Sequence, residues 1–250
     1  MVAVVGWFVV TRAPGWSEVK AAFFDWGEFR ASFPEISHAF LLNVKIFCIA
    51  EVLILVFALL LAIVRSLPGP VFFPLRALAI AYADFFRGVP TILVISLLGF
   101  GAPALGVKGV PISTTFWGIV ALTLVYTAYV SEVYRAGIES VHPSQEAAAR
   151  SLGLSRAQAL RFVILPQAVR RVIPPLLNDF IGLQKDSALV GVLGAVEAYK
   201  QAGIDKAATF NFTPYLAAAL LFVAITIPLA RFTDWLIVRD RRRRQSGGVS

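Results

Sequence analysis

Charge is scarce in this 250-residue chain: Asp, Glu, Lys and Arg together make up 15% of it, against roughly 25% in an ordinary soluble domain. Too few charges are present to coat a water-facing surface, so much of the surface is expected to face lipid. The lone cysteine, Cys48, rules out an intrachain disulfide, and one thiol makes no metal site. The two histidines, His38 and His142, stand far apart with no cysteine or histidine partner nearby. No nucleophile elbow and no histidine-containing triad emerge. The segment from Gly101 to Lys108 imitates a phosphate loop, but its lysine comes one residue late. No cofactor, no metal and no catalytic residue are therefore expected, and the chain is not read as an enzyme.

What is present is apolar. Hydrophobic residues account for 58% of the chain, and the mean hydropathy is +0.76. A bilayer core of about 30 Å needs about 20 largely apolar helical residues, and five stretches qualify: about 38–64, 72–100, 116–138, 174–193 and 214–238. Lipid offers backbone groups no partners, so only helices or closed barrels span it. The length of the stretches and their lack of alternation favour helices. The fold class is thus all-α and polytopic, with about five transmembrane helices. Pro174 and Pro175 suit a first helical turn, Trp117 and Trp235 suit membrane interfaces, and Pro228 predicts a kink in the last span. Met1 to Val10 is apolar but too short to span, and it reads as an interfacial segment or the stub of a longer helix.

The net charge of +8 is unevenly placed. Arginines crowd 239–244 and 150–171, in both cases beside long apolar segments. That placement marks cytoplasmic loops rather than a nucleic-acid surface. The organisation expected is an extracytoplasmic or interfacial segment over 1–37, a membrane domain over 38–240 with a cytoplasmic loop at 139–171, and a basic cytoplasmic tail over 241–250.

That loop is the most informative stretch. It runs Ser144-Gln145-Glu146-Ala147-Ala148-Ala149-Arg150-Ser151-Leu152-Gly153 and closes on Val163-Ile164-Leu165-Pro166. An alanine-rich helix, a glycine turn, a second short helix and a stopping proline are predicted, and small side chains permit close approach by a partner. Here the chain resembles the membrane subunits of binding-protein-dependent ABC importers. Their cytoplasmic loop carries Glu-Ala-Ala, then a glycine, then nine residues before Ile-x-Leu-Pro, a spacing that Gly153, Val163, Leu165 and Pro166 fit. The family's glutamate position falls on Ala147, with Glu146 one residue early. Arg87-Gly88-Val89-Pro90, Leu165-Pro166-Gln167-Ala168, Pro174-Pro175-Leu176 with Asn178, and Lys185-Asp186-Ser187-Ala188-Leu189 are similar to motifs of the polar amino-acid permeases in that family.

The resemblance implies a type-1 ABC transmembrane domain in the cell membrane whose coupling helix docks on an ATPase through Glu146, Ala147, Ala148, Leu152, Gly153, Leu165 and Pro166. It further implies a pair of ATPase subunits, a second permease subunit, an extracytoplasmic solute-binding protein and a polar amino-acid substrate. An ion-coupled secondary transporter of a small polar solute is the alternative, against which the absence of inverted repeats speaks.

Ionisable residues inside spans are costly and call for a role. Asn178, Gly182, Lys185 and Asp186 fall on one helical face. They read as a polar wall of the path or as a neutralising Lys185–Asp186 pair, with Ser187 turned away unless the helix unwinds there. Glu132 either pairs with Arg135 one turn on or meets substrate. Asp84 and Arg87 share that spacing and, with Gly88 and Pro90, suggest a helix-positioning or gating role. Glu51, without a local partner, is expected to bond between helices.

Overall fold

The computed structural model describes residues 11–246, so the expectations placed on residues 1–10 and 247–250 fall outside it. Near the start of the described residues lie α1 (Trp16–Phe23) and α2 (Trp26–Ser66). Asp25 between them caps α2 by accepting from the backbone N–H groups of Gly27 and Glu28 at 2.7 and 3.2 Å. At 41 residues, α2 is about 60 Å long at 1.5 Å per residue. It begins well before the expected start near His38, because Pro34 lies inside the helix and does not end it.

A short 3-10 turn (Pro70–Phe72) leads into α3 (Phe73–Gly88), and α4 (Thr91–Ala104) follows. The second expected span is built from more than one helix. It is two helices meeting at 103° across Val89-Pro90. Val89 is extended at φ −98°, ψ 130°, as the residue before a proline prefers, so the helix stops there. Next comes α5 (Thr114–Glu139), capped by the Ser113 hydroxyl. The loop 139–171 holds α6 (Pro143–Ser151), the single turn α7 (Arg156–Ala159) and a π turn at Leu160–Ile164.

The π turn runs directly into α8 (Leu165–Asp186). Pro166 thus opens α8 instead of ending the preceding helix. Pro174 and Pro175 lie in its interior, not in its first turn. The fourth expected span is also not continuous: beyond Asp186 the backbone tightens into a 3-10 segment, Ser187–Leu193. Last come α9 (Ala198–Thr209) and α10 (Thr213–Ser246).

Among the described residues three helices are long and apolar enough to cross a membrane, or four if the bent α3–α4 pair is one span. The fourth expected span, 174–193, does not meet that test. Its helix carries Arg170, Arg171, Asp179, Lys185 and Asp186, and it packs against α2, α5 and α10.

The packing is inverted relative to a soluble bundle. The buried stripe of α2 includes Asn43, Ile46, Ala50, Ile54, Ala58 and Ala62, spaced three or four apart, while Val52, Val56, Phe57, Leu60 and Ile63 are exposed. Lipid competes equally for large apolar groups, so helices associate through small residues that allow close contact. On α5 the same logic places Gly118 against Val190 and Gly137 against Val172, where an added Cβ would collide with the valine. Gly118→Leu is expected to push α5 off the 3-10 segment and to cost about 1–3 kcal/mol. Thermal unfolding in detergent measures this, and an unchanged midpoint would refute the close-packing account.

Candidate functional site

The loop 139–171 presents a built apolar surface. His142 caps α6 through Nδ1, which accepts from the Ser144 N–H at 3.2 Å. Ser155 and Gln158 form a reciprocal capping box on α7. Between them Gly153 stands at φ +86°, a backbone geometry that favours glycine. The result leaves Ala147 and Ala148 exposed and Leu152 83% exposed, with Leu165 and Pro166 exposed nearby. Glu146 reaches Arg156 at 3.6 Å on the same loop. Ala149 is buried and anchors α6.

A second feature is a polar cavity of about 180 Å³, lined by Thr91, Tyr126, Tyr129, Asn178, Asp179, Gly182 and Asp186. Three of the four residues expected on one face of α8 (Asn178, Gly182 and Asp186) do line it together. Lys185 does not: it opens on a separate cleft with Tyr199, Tyr215 and Phe222. Asp186 is held by the Tyr126 hydroxyl, which donates to Oδ2 at 3.0 Å.

Asp179 was not singled out from sequence, yet it lines the cavity with a buried Oδ2 that has no hydrogen-bond partner among the described residues. The buried Glu51 likewise has an unpartnered Oε1, so the interhelical bond expected of it is not made through that oxygen. The two carboxylates lie within electrostatic range of one another. Unsatisfied carboxylates in such a setting call for a cationic partner.

Glu132 lies outside this cavity lining. Its carboxylate is claimed by three guanidinium groups: Arg65 at 2.5 Å, Arg135 at 2.8 Å and Arg87 at 3.5 Å. The Arg135 pairing anticipated from spacing is present, but Arg65 and Arg87 come from other helices and were not anticipated. Asp84 is exposed, and Arg87 turns to Glu132 for its ion pair.

Ser187 is fully buried but does not line the polar cavity, and the helix tightens to 3-10 winding there. It accepts from the Asn43 side-chain amide at 3.1 Å. That amide also donates to Glu197 Oε2 at 3.1 Å, and its oxygen accepts from the Ala198 N–H at 3.0 Å. Glu197 in turn caps α9, accepting from the N–H groups of Tyr199 and Lys200. Asn43 and Glu197 left no motif in the sequence; a buried amide in α2 bonding the 3-10 segment and the start of α9 is a tertiary fact.

A helical membrane protein with a bent helix pair, an irregular segment packed inside the bundle and an exposed helical loop has the build of a transporter half. Residues 54–242 match the family described as the binding-protein-dependent transport system inner membrane component. The chain is 39% identical over 167 residues to a probable glutamine ABC transporter permease protein, GlnM, of Bacillus subtilis (strain 168), covering 66% of this chain and 76% of that one. It is 33% identical over 204 residues to a probable amino-acid permease protein, YxeN, of the same organism, covering 81% and 90%. A crystal structure of an amino acid ABC transporter with histidines superposes with a TM-score of 0.77 at 30% identity, covering 87% of this chain and 98% of that one.

The chain belongs to the family of binding-protein-dependent ABC permeases. It is a membrane subunit whose partners are an ATPase and a binding protein, and ATP hydrolysis resides in the ATPase. The ion-coupled alternative is set aside. Glu197→Ala is expected to remove the α9 cap and strand the Asn43 amide, destabilising the protein by about 2–4 kcal/mol. A thermal shift in detergent no larger than that of a surface substitution would show that the Asn43 network contributes little.

Proposed function

We propose that the chain forms the membrane path of an importer for a polar amino acid, working as one of two permease subunits above a pair of ATPases. The observation that carries this reading is the acidic cavity: Asp179 and Asp186 face the same space as Asn178, Thr91 and two tyrosines. Its volume equals about six waters at roughly 30 Å³ each, the scale of a small solute. In this reading the carboxylates take the ammonium of the substrate, a charge-assisted contact that the family's substrates supply. The relatives named for glutamine or amino-acid transport support the substrate class.

The same reading places the C-terminus and the loop 139–171 in the cytoplasm. Arginines 239–244 and 150–171 flank apolar segments, and positive charge is retained on that side. The exposed Ala147, Ala148 and Leu152 then form the seat of the coupling helix on the ATPase, an apolar patch that needs a protein partner in water. Solute released by the binding protein enters from the opposite face. ATPase closure draws the docking loops together and rocks the helices, which opens the cavity to alternate sides.

Two substitutions separate the path from the docking surface. Asp179→Asn keeps the shape but removes a charge, and it is expected to lower glutamine uptake by about ten- to a hundredfold, the worth of one charged hydrogen bond. Co-purification with the ATPase should be unchanged. Parental uptake by this variant across glutamine, histidine and arginine would exclude Asp179 from the path. Conversely, Ala148→Glu with Leu152→Glu is expected to abolish co-purification of the ATPase, and its retention would argue against the docking surface.

A further inference from the structure

The polar cavity and the docking loop sit on different elements, and the arginine cluster on Glu132 joins them. Glu132 and Arg135 belong to α5, and Arg135 also reaches Glu139 at 2.5 Å at the C-terminal end of that helix. Pro143 opens α6 four residues later. The Arg171 guanidinium, in turn, donates to the Ser140 carbonyl, so the end of α5 and the beginning of α8 are tied. On the other side of Glu132 stands Arg87, in the last turn of α3, immediately before the 103° break. Thr91, the first residue beyond the break, lines the acidic cavity.

A continuous set of contacts therefore runs from the docking loop through Glu139, Arg135 and Glu132 to Arg87, and across the break to the cavity wall. The Tyr129 hydroxyl reinforces it at 3.4 Å by donating to the Arg87 carbonyl, and Tyr129 itself lines the cavity.

The three arginines are not equivalent. The Arg65 side chain is 10% exposed and sits 2.5 Å from Glu132, so that pair is structural. Arg135 shares a helix with Glu132 and moves with it. Arg87 is the outermost at 3.5 Å and 42% exposed, and it alone connects Glu132 to the break. We infer that Arg87 is a positioning residue for transport, which ties the α3–α4 break to the docking end of α5 so that movement of the loop displaces the Thr91 wall. The inference rests on the import reading above. Removing the Arg87 side chain leaves Glu132 with two guanidinium partners and leaves the Tyr129 bond to the backbone carbonyl of residue 87 in place, so the fold should survive while the ion-pair link from Glu132 to the break is lost.

The test uses the full complex of permease, ATPase and binding protein in proteoliposomes. Cys48, the one native thiol of this chain, is replaced by Ala and Thr91 by Cys, and the rate of labelling by a charged methanethiosulfonate reagent is measured without nucleotide and with vanadate-trapped ATP. In the Arg87-containing protein the two rates are expected to differ at least about fivefold, the lower bound of an ordinary coupling free energy. With Arg87→Gln added, the two rates should converge while ATP hydrolysis continues and uptake per ATP falls about tenfold. Arg87→Lys, which keeps the charge, should restore part of the difference. An undiminished rate difference in Arg87→Gln would overturn the inference. Equal rates with Arg87 present would overturn it too, by removing the gated path at Thr91 on which it stands.

Discussion

Much of this structure depends on one side-chain amide. Asn43 sits fully inside the bundle on α2 and bonds Ser187, Glu197 and the backbone of Ala198 at the same time. The segment it holds is a 3-10 stretch and a short loop, which leave backbone groups without α-helical partners. In a bilayer such groups cannot turn to water, and irregular backbone survives only where protein encloses it. Asn43 and Glu197 enclose it here, one by side-chain bonds and the other by capping α9. With that segment in place, Val190 and Leu193 pack against Gly118 and Gly99, and the helices that border the cavity are set relative to one another.

The polar groups divide into two kinds by how completely they are satisfied. The Asn43–Ser187–Glu197 group and the Glu132 cluster are closed networks in which charges and amides have partners, as buried polar groups require. Asp179 and Glu51 keep oxygens without one. Ser37, Thr123, Thr127, Gln184 and Asp205 also keep a buried polar atom without a partner among the described residues, but Asp179 is the one that lines the cavity. Sites of this kind appear where helices are interrupted, and Thr91 and Asp186 both stand at the edge of a helix break.

Sequence reasoning reached some of this and missed the rest for identifiable reasons. Asn178, Gly182 and Asp186 were visible because helical spacing puts them on one face, and they share the cavity. Lys185 obeyed the same arithmetic yet opens on another cleft, since periodicity tells angle around a helix but not which neighbour stands there. Asp179 stands seven residues before Asp186, within about 20° of it around the helix, so the same spacing reaches it, yet nothing in the sequence separates it from its neighbours as a cavity group. Ser187 is expected to point away from that face unless the helix changes its winding; the winding does change after Asp186, and Ser187 stays out of the cavity lining and bonds Asn43 instead. Pro174 and Pro175 suit a helix start, but Pro166 occupies that role eight residues before Pro174 and the helix carries the later prolines in its interior.

Composition and local pattern were enough to establish that the chain lives in a membrane, that it is helical, and that its loop 139–171 carries short helices joined at a glycine turn. Lipid imposes these through backbone satisfaction and the low supply of charge, both of which are properties of residue type. Which polar atoms meet was settled only by the packed bundle. Of the three arginines around Glu132, Arg135 follows from its spacing on α5, but Arg65 and Arg87 come from α2 and α3, positions that no local rule connects to Glu132. Burial and pairing of charge depend on the distance between helices, and that distance is a consequence of how small residues let the whole bundle close.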